Sequence, residues 1–120
     1  MKKVLVVDDK SSISDLIVQL LKQSYEVESR SNGLEAMAYL QDGHLPDLII
    51  SDLEMPHMNG FELIQAVRES GFFSEIPIII LSSRDSSEDR IKCLKLGADD
   101  YMMKPFNPEE LLIRIEKTLK

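Results

Sequence analysis

Five polar residues stand where short apolar runs stop. Asp8 and Asp9 follow Val4-Leu5-Val6-Val7, Asp52 follows Leu48-Ile49-Ile50-Ser51, Ser82 follows Ile78-Ile79-Ile80-Leu81, and Lys104 follows Tyr101-Met102-Met103. Taken singly, each is an ordinary helix cap or a solvated loop charge. Recurrence at corresponding places in the chain points instead to one shared site. Three carboxylates brought close repel one another, and the usual remedies are a raised pKa or a bound cation. Oxygen-only donors select a hard ion, Mg²⁺ by preference with Mn²⁺ as a substitute, which keeps water positions open to a phosphate oxygen. A lysine opposite the metal would neutralise another phosphoryl oxygen, and a serine hydroxyl would hydrogen-bond it. The set suits phosphoryl transfer to a carboxylate.

The elements that must position these groups alternate between two periodicities. Val4 to Val7 reads as a strand, then Ile13, Leu16, Ile17, Leu20 and Leu21 recur at helical spacing, with Ser11 or Ser12 as the expected N-cap. Glu26 to Arg30 is a weaker strand, and Leu34, Met37, Ala38 and Leu40 mark a helix opening near Gly33. Leu48 to Ile50 and Ile78 to Leu81 are strands, separated by a helix marked by Phe61, Leu63, Ile64 and Val67. Ile91, Leu94 and Leu96 give a fourth helix ending at Gly97, Asp100 to Met103 a fifth strand, and Leu111, Leu112, Ile115 and Leu119 a last helix after Pro108. Asn32-Gly33 and Asn59-Gly60 are hairpin signals in isolation, but each lies between a strand and an amphipathic helix and so reads as a strand-to-helix loop. Strands apolar on both faces and alternating with helices specify a doubly wound α/β domain with a parallel sheet. In such a sheet ligands bind beyond the carboxyl ends of the strands, where the five polar residues stand.

A chain of 120 residues fits one domain and buries about two thirds of its unfolded surface. The net charge of −7 argues against a nucleic-acid surface, which needs a Lys/Arg excess on at least one face. No apolar run is long enough for a membrane span, and the start is too short for a signal peptide, so a cytoplasmic location is the default expectation. The single cysteine, Cys93, excludes an internal disulfide and reads as a packing residue. His57 reads as a solvent-facing loop residue rather than a base, and His44 has no partner legible in the sequence.

Four motifs carry a resemblance: VLVVDD at Val4 to Asp9, DLIISDLEMPHMNG at Asp47 to Gly60, IIILSS at Ile78 to Ser83, and GADDYMMKPF at Gly97 to Phe106. In order and spacing they resemble the receiver domain of two-component response regulators over essentially the whole chain, residues 1–120. The resemblance implies the flavodoxin-like fold of the single-domain chemotaxis receivers: five βα units in three layers, with sheet order 2-1-3-4-5. It also implies a signalling domain rather than an enzyme. Asp52 would accept a phosphoryl group from a histidine kinase or phosphotransfer protein. Asp9 and Asp52 would bind Mg²⁺ directly, Asp8 partly through metal-bound water, and Glu54 through its backbone carbonyl. Lys104 would contact the phosphoryl group, Ser82 and Tyr101 would form the switch pair, and Pro105 would follow a cis peptide bond. The acyl phosphate would draw the Ser82 hydroxyl inward and vacate space for the Tyr101 ring.

Lys10, Glu54 and Arg84 depart from the commonest choices around such a site and would rim it, with Glu54 and Arg84 pairing across its mouth. The C-terminal third looks most like receivers of winged-helix transcription regulators. That likeness implies a phosphorylation-dependent homodimer through the fourth helix, fifth strand and fifth helix, with Arg90 paired to Glu110 and Asp100 to Arg114 between subunits. Two other classes stay in view. A haloacid-dehalogenase-like phosphatase would need an Asp-x-Asp motif after the first strand, where this chain has Asp8-Asp9-Lys10. A flavodoxin-like cofactor binder would need a phosphate cradle in the first loop, which lacks the Ser/Thr/Gly-rich character.

Overall fold

A computed structural model describes all residues, Met1–Lys120. The elements are β1 (Lys3–Val7), α1 (Ser11–Leu21), β2 (Glu26–Arg30), α2 (Gly33–Gln41), β3 (Leu48–Ser51), α3 (Gly60–Glu69), β4 (Ile78–Ser82), α4 (Ser87–Leu96), β5 (Asp100–Met103) and α5 (Pro108–Thr118). All strand pairs are parallel and the sheet order is β2-β1-β3-β4-β5. The doubly wound (βα)5 expectation holds element for element. The order reverses direction between β1 and β3, so the loops leaving those two strands diverge and open a crevice between Asp8 and Asp52.

Burial explains the layering. Apart from Lys3, every residue of β1, β3 and β4 is buried, as expected for strands covered on both faces. Leu5, Val7, Ile49, Ile78 and Ile80 share one core with Ala36, Leu40, Leu63, Ile64, Val67 and Cys93. Val4, Val6, Leu48, Ile50, Ile79 and Leu81 share the other with Ile17, Leu21, Leu111 and Ile115. Helices α2, α3 and α4 therefore cover one face, and α1 and α5 the other. Each fully buried aliphatic side chain stabilises the fold by about 1.5–3 kcal/mol. By that measure α3, with Leu63, Ile64 and Val67 buried, is firmly seated, whereas α4 buries Cys93 alone.

Three local readings differ from expectation. Helix α1 begins at Ser11 with Lys10 as N-cap and no side-chain cap; the Lys10 carbonyl takes the amides of Ile13 and Ser14 instead. The apolar markers Ile91 and Leu94 of α4 are 48% and 46% exposed, because the side of α4 that meets the sheet is the one carrying Cys93. Leu34 likewise points out, and Ala36 and Leu40 form the buried stripe of α2. The two Asn-Gly pairs do start helices. Asn32 Oδ1 accepts from the Glu35 amide, and Asn59 forms a reciprocal capping box with Glu62.

Arg68, near the end of α3, ties several segments together. Its guanidinium donates to the carbonyls of Gly97, Ser74 and Ile76 and to Asp99 Oδ2. Gly97 closes α4 with φ 118°, a left-handed conformation that favours glycine. A side chain there would press on the Arg68 stem at 2.9 Å. At the opposite edge of the sheet, β2 pairs with β1 alone and exposes Glu26, Glu28 and Ser29. His44 stacks on Tyr39 with centroids 4.4 Å apart, and Arg30 lies 4.6 Å from the same ring. This supplies the partner for His44 that spacing alone did not reveal.

Candidate functional site

The carboxyl ends of β1, β3, β4 and β5 bring the five polar residues to one rim. Asp52 is held in place from behind: its amide donates to the Val7 carbonyl at 3.0 Å, and Oδ1 accepts from the Leu53 amide at 2.7 Å. Gly60 allows α3 to start close against this strand end, since an added Cβ would meet the Leu53 Cα at 2.8 Å. Asp8 is fixed through Oδ1, which accepts from the Lys10 amide at 2.9 Å. Asp9 is exposed, while Asp8 and Asp52 are buried. One oxygen from each of the three carboxylates lies within 4.8 Å of the others.

Lys104, the first residue after β5, answers this charge. Its Nζ lies 2.8 Å from Asp8 Oδ2 and 3.4 Å from Asp52 Oδ2, and the backbone is set by the Lys104 amide donating to the Ser82 carbonyl. The Lys104-Pro105 peptide is cis. Burial pushes the Asp52 carboxyl above the usual range; Lys104 opposes the shift and Asp8 adds to it. One ammonium thus leaves three carboxylates short of neutrality. The oxygen-only donor set, with an exposed member in Asp9, fits a hard divalent cation.

Ser82 is buried beside this cluster, and its Oγ accepts from the Arg84 amide at 3.1 Å. The Tyr101 ring lies inward, in the core beneath α4, and its hydroxyl donates to the Arg84 carbonyl at 2.9 Å. Burial raises the phenol pKa. Ser82 and Tyr101 both bond the backbone of Arg84, one at its amide and the other at its carbonyl.

Above the cluster is a shallow cleft of about 450 Å³ lined by Asp9, Lys10, Glu54, Met55, Asn59 and Arg84, with Leu53 and Phe61 below. The expected pair across this mouth forms: Arg84 Nε lies 2.8 Å from Glu54 Oε1. The sequence did not reveal that the same guanidinium reaches Asp89 in the first turn of α4, with Nη1 3.4 Å from Oδ2. Arg84 and Asp89 are five positions apart with a helix start between them, a spacing that carries no periodic signal. His57 is exposed at φ 68° on the β3–α3 loop. Cys93 is buried, which pushes its thiol up to about 11 and suits a packing role.

The model of the response regulator receiver domain family matches residues 4–116. The chain belongs to this family. The receiver is 37% identical over 120 residues to the regulatory protein VanRc of Enterococcus gallinarum, covering 99% of this chain and 50% of that protein. It is 38% identical to the CpxR homolog of Haemophilus influenzae, a transcriptional regulatory protein, covering 100% of this chain and 51% of the relative. The receiver therefore spans about half the length of the curated relatives it matches. Among solved structures, chemotaxis response regulator CheY4 of Vibrio cholerae superposes with a TM-score of 0.92 at 41% identity, covering 99% of both chains. A BeF3-activated DrrB receiver domain superposes at 0.88 with 32% identity, covering 99% of this chain and 97% of that one. Receiver domains are signalling domains of two-component systems, phosphorylated by histidine kinases, typically Mg²⁺-binding and generally not classed as enzymes. No helix is long and apolar enough to cross a membrane.

On the α4, β5 and α5 face three of the four charges expected to pair between subunits also meet within one chain. Arg114 Nη1 holds Asp100 at 2.8 Å and Nη2 holds Glu110 at 2.9 Å, the latter an i,i+4 pair along α5. These contacts raise the Arg114 pKa, chiefly through the hydrogen bond to Asp100, against the opposing effect of burial. Arg90 makes no ion pair.

Proposed function

We propose that this receiver accepts a phosphoryl group on Asp52 from a histidine kinase or phosphotransfer protein. Attack by an Asp52 carboxylate oxygen forms the P–O bond as the P–N bond to the donor imidazole breaks; the imidazole leaves with the electron pair and takes up a proton. Asp8, Asp9, Asp52 and the Glu54 carbonyl would hold Mg²⁺, which when bound supplies charge neutralisation on the transferred phosphoryl oxygens. Lys104, tethered by Asp8, carries a second positive charge to within 3.4 Å of the nucleophile. The bridging ammonium in an acidic cluster is the observation that carries the reading. A phosphatase reading has no second acid two residues after Asp8, and a flavin reading has no cradle in the first loop.

The acyl phosphate then acts on the face formed by α4, β5 and α5. A Ser82 hydroxyl turning toward the phosphoryl group gives up the Arg84 amide, and Tyr101 is hydrogen-bonded to the same residue. The resulting shift favours a homodimer through this face, where Ile91, Leu94 and Ile113 are exposed and supply apolar contact. An intersubunit Asp100–Arg114 pair would exchange for the intrachain one, so charges would set register more than affinity. Incubation with Mg²⁺ and a small acyl-phosphate donor, followed by intact mass, tests the assignment. One added phosphoryl group that disappears in Asp52→Asn is expected; retention of it at another residue overturns the reading.

A further inference from the structure

Helix α4 is held unequally at its two ends. Its C-terminal end is fixed by Arg68, which donates to the Gly97 carbonyl at 2.9 Å and to Asp99 at 3.0 Å. Its middle is held by Cys93, its single buried residue. At the N-terminal end Ser86 Oγ accepts from the Asp89 amide at 3.2 Å, a bond internal to the turn. The ion pair that ties this end to the loop after β4 is Asp89 with Arg84 at 3.4 Å. The Arg84 guanidinium also holds Glu54 at 2.8 Å on the mouth of the site, and its backbone meets both Ser82 Oγ and the Tyr101 hydroxyl.

We infer that Arg84 is a latch shared between the site and α4, a positioning residue whose guanidinium is drawn off Asp89 when Asp52 carries a phosphoryl group, freeing the first turn of α4 while Arg68 keeps the last turn fixed. The inference rests on the proposed phosphorylation of Asp52. Its physical basis is competition for one cation. Arg84 lines the same mouth as Asp9 and Glu54, and a phosphoryl group offers more charge and a better bidentate acceptor than the carboxylate of Asp89. The 3.4 Å contact is the longer of the two Arg84 pairs and is the one surrendered. Linkage then requires reciprocity: if the phosphoryl group weakens the latch, weakening the latch must favour the phosphoryl group.

Asp89 lies outside the metal and phosphoryl machinery, so Asp89→Asn opens the latch without touching the chemistry. Glu88→Gln is the control, since it also removes an acid from the first turn of α4 but no partner of Arg84. Hydrogen exchange is measured on the unmodified proteins and on proteins with beryllofluoride and Mg²⁺, together with beryllofluoride affinity. In unmodified Asp89→Asn, amides of residues 87–91 should exchange as fast as in beryllofluoride-bound wild type, with residues 94–98 unchanged. Its beryllofluoride affinity should rise by about two- to fivefold, the range set by a partly exposed ion pair, and Arg84→Ala added to it should leave the exchange of residues 87–91 unchanged while lowering that affinity, since the cation the phosphoryl analogue attracts is gone. Glu88→Gln should reproduce neither effect. Beryllofluoride binding by wild type with no gain in affinity or exchange in Asp89→Asn overturns the latch alone. Failure of wild type to bind beryllofluoride, with no phosphoryl uptake by mass, overturns the proposed function and the latch with it.

Discussion

Replacing Asp52 by Asn should stabilise the protein in the absence of divalent metal. At an effective dielectric of about 20, Asp8 and Asp52 oxygens no more than 4.8 Å apart repel by at least about 3.5 kcal/mol, and Lys104 at 3.4 Å attracts Asp52 by about 5 kcal/mol. Asp9 is exposed, so its repulsion is screened to about 1 kcal/mol. The pairwise terms nearly cancel, which leaves the burial of a charge that is 6% exposed to decide the sign. Asparagine removes that desolvation and keeps an acceptor for the Leu53 amide. A net gain of about 1–2 kcal/mol is expected, or about 4–8 °C in Tm. Because the folded carboxyl titrates above its unfolded value, the penalty is complete above the folded pKa. It shrinks as pH falls through that value, and vanishes below the unfolded one. Saturating Mg²⁺ should reverse the order, stabilising wild type by about 2.7 kcal/mol at a hundredfold excess over Kd and the variant less. Thermal melts in chelator at neutral and acid pH, repeated with Mg²⁺, measure all three. An Asp52→Asn protein that melts below wild type at neutral pH in chelator would refute the charge argument.

Lys104→Ala should destabilise the metal-free protein by about 3–5 kcal/mol, as expected when one partner of a buried pair is removed, with Mg²⁺ recovering part of the loss. It should also blunt the exchange response of the α4, β5 and α5 face to beryllofluoride; urea melts and hydrogen exchange report these outcomes. Arg84→Ala should shorten the acyl-phosphate half-life by about two- to fivefold, since the Glu54 pair across the mouth is exposed and worth about 0–1 kcal/mol; an unchanged decay of the phosphorylated mass would sink the gate. Gly60→Ala should cost about 1–3 kcal/mol by overpacking against the end of β3 and slow phosphoryl uptake, read by melts and intact mass. In sedimentation, beryllofluoride should produce a dimer that fails in Arg90→Glu and returns in Arg90→Glu/Glu110→Arg. An activated protein that stays monomeric at high concentration would exclude that interface.

The sheet, the helices and the rim of acids were legible because each rests on a local signal. An apolar run ending on Asp8, Asp52, Ser82 or Lys104 is visible without knowing what lies beside it, and parallel topology then brings the ends together. Helix boundaries at Gly33, Gly60, Gly97 and Pro108 were legible for the same reason. What stayed hidden depends on pairing across elements. Arg84 reaches Asp89 as well as the expected Glu54, Arg68 collects three carbonyls, and Arg114 takes Glu110 of its own helix; long cations choose partners by three-dimensional reach, which no spacing encodes. The exposed apolar marks on α4 show the converse. Periodicity finds the stripe, but which side meets the sheet is fixed by how few of its residues the neighbouring helix and strand leave room for.

The bare edge at β2 has a colloidal consequence. Its outer row of backbone groups is a template for strand addition by another chain, and Glu26 and Glu28 make that template repel its own copies. The protection is electrostatic and therefore conditional. It weakens as salt shortens the screening length, so slow aggregation in concentrated salt would start from this edge while the rest of the molecule stays folded.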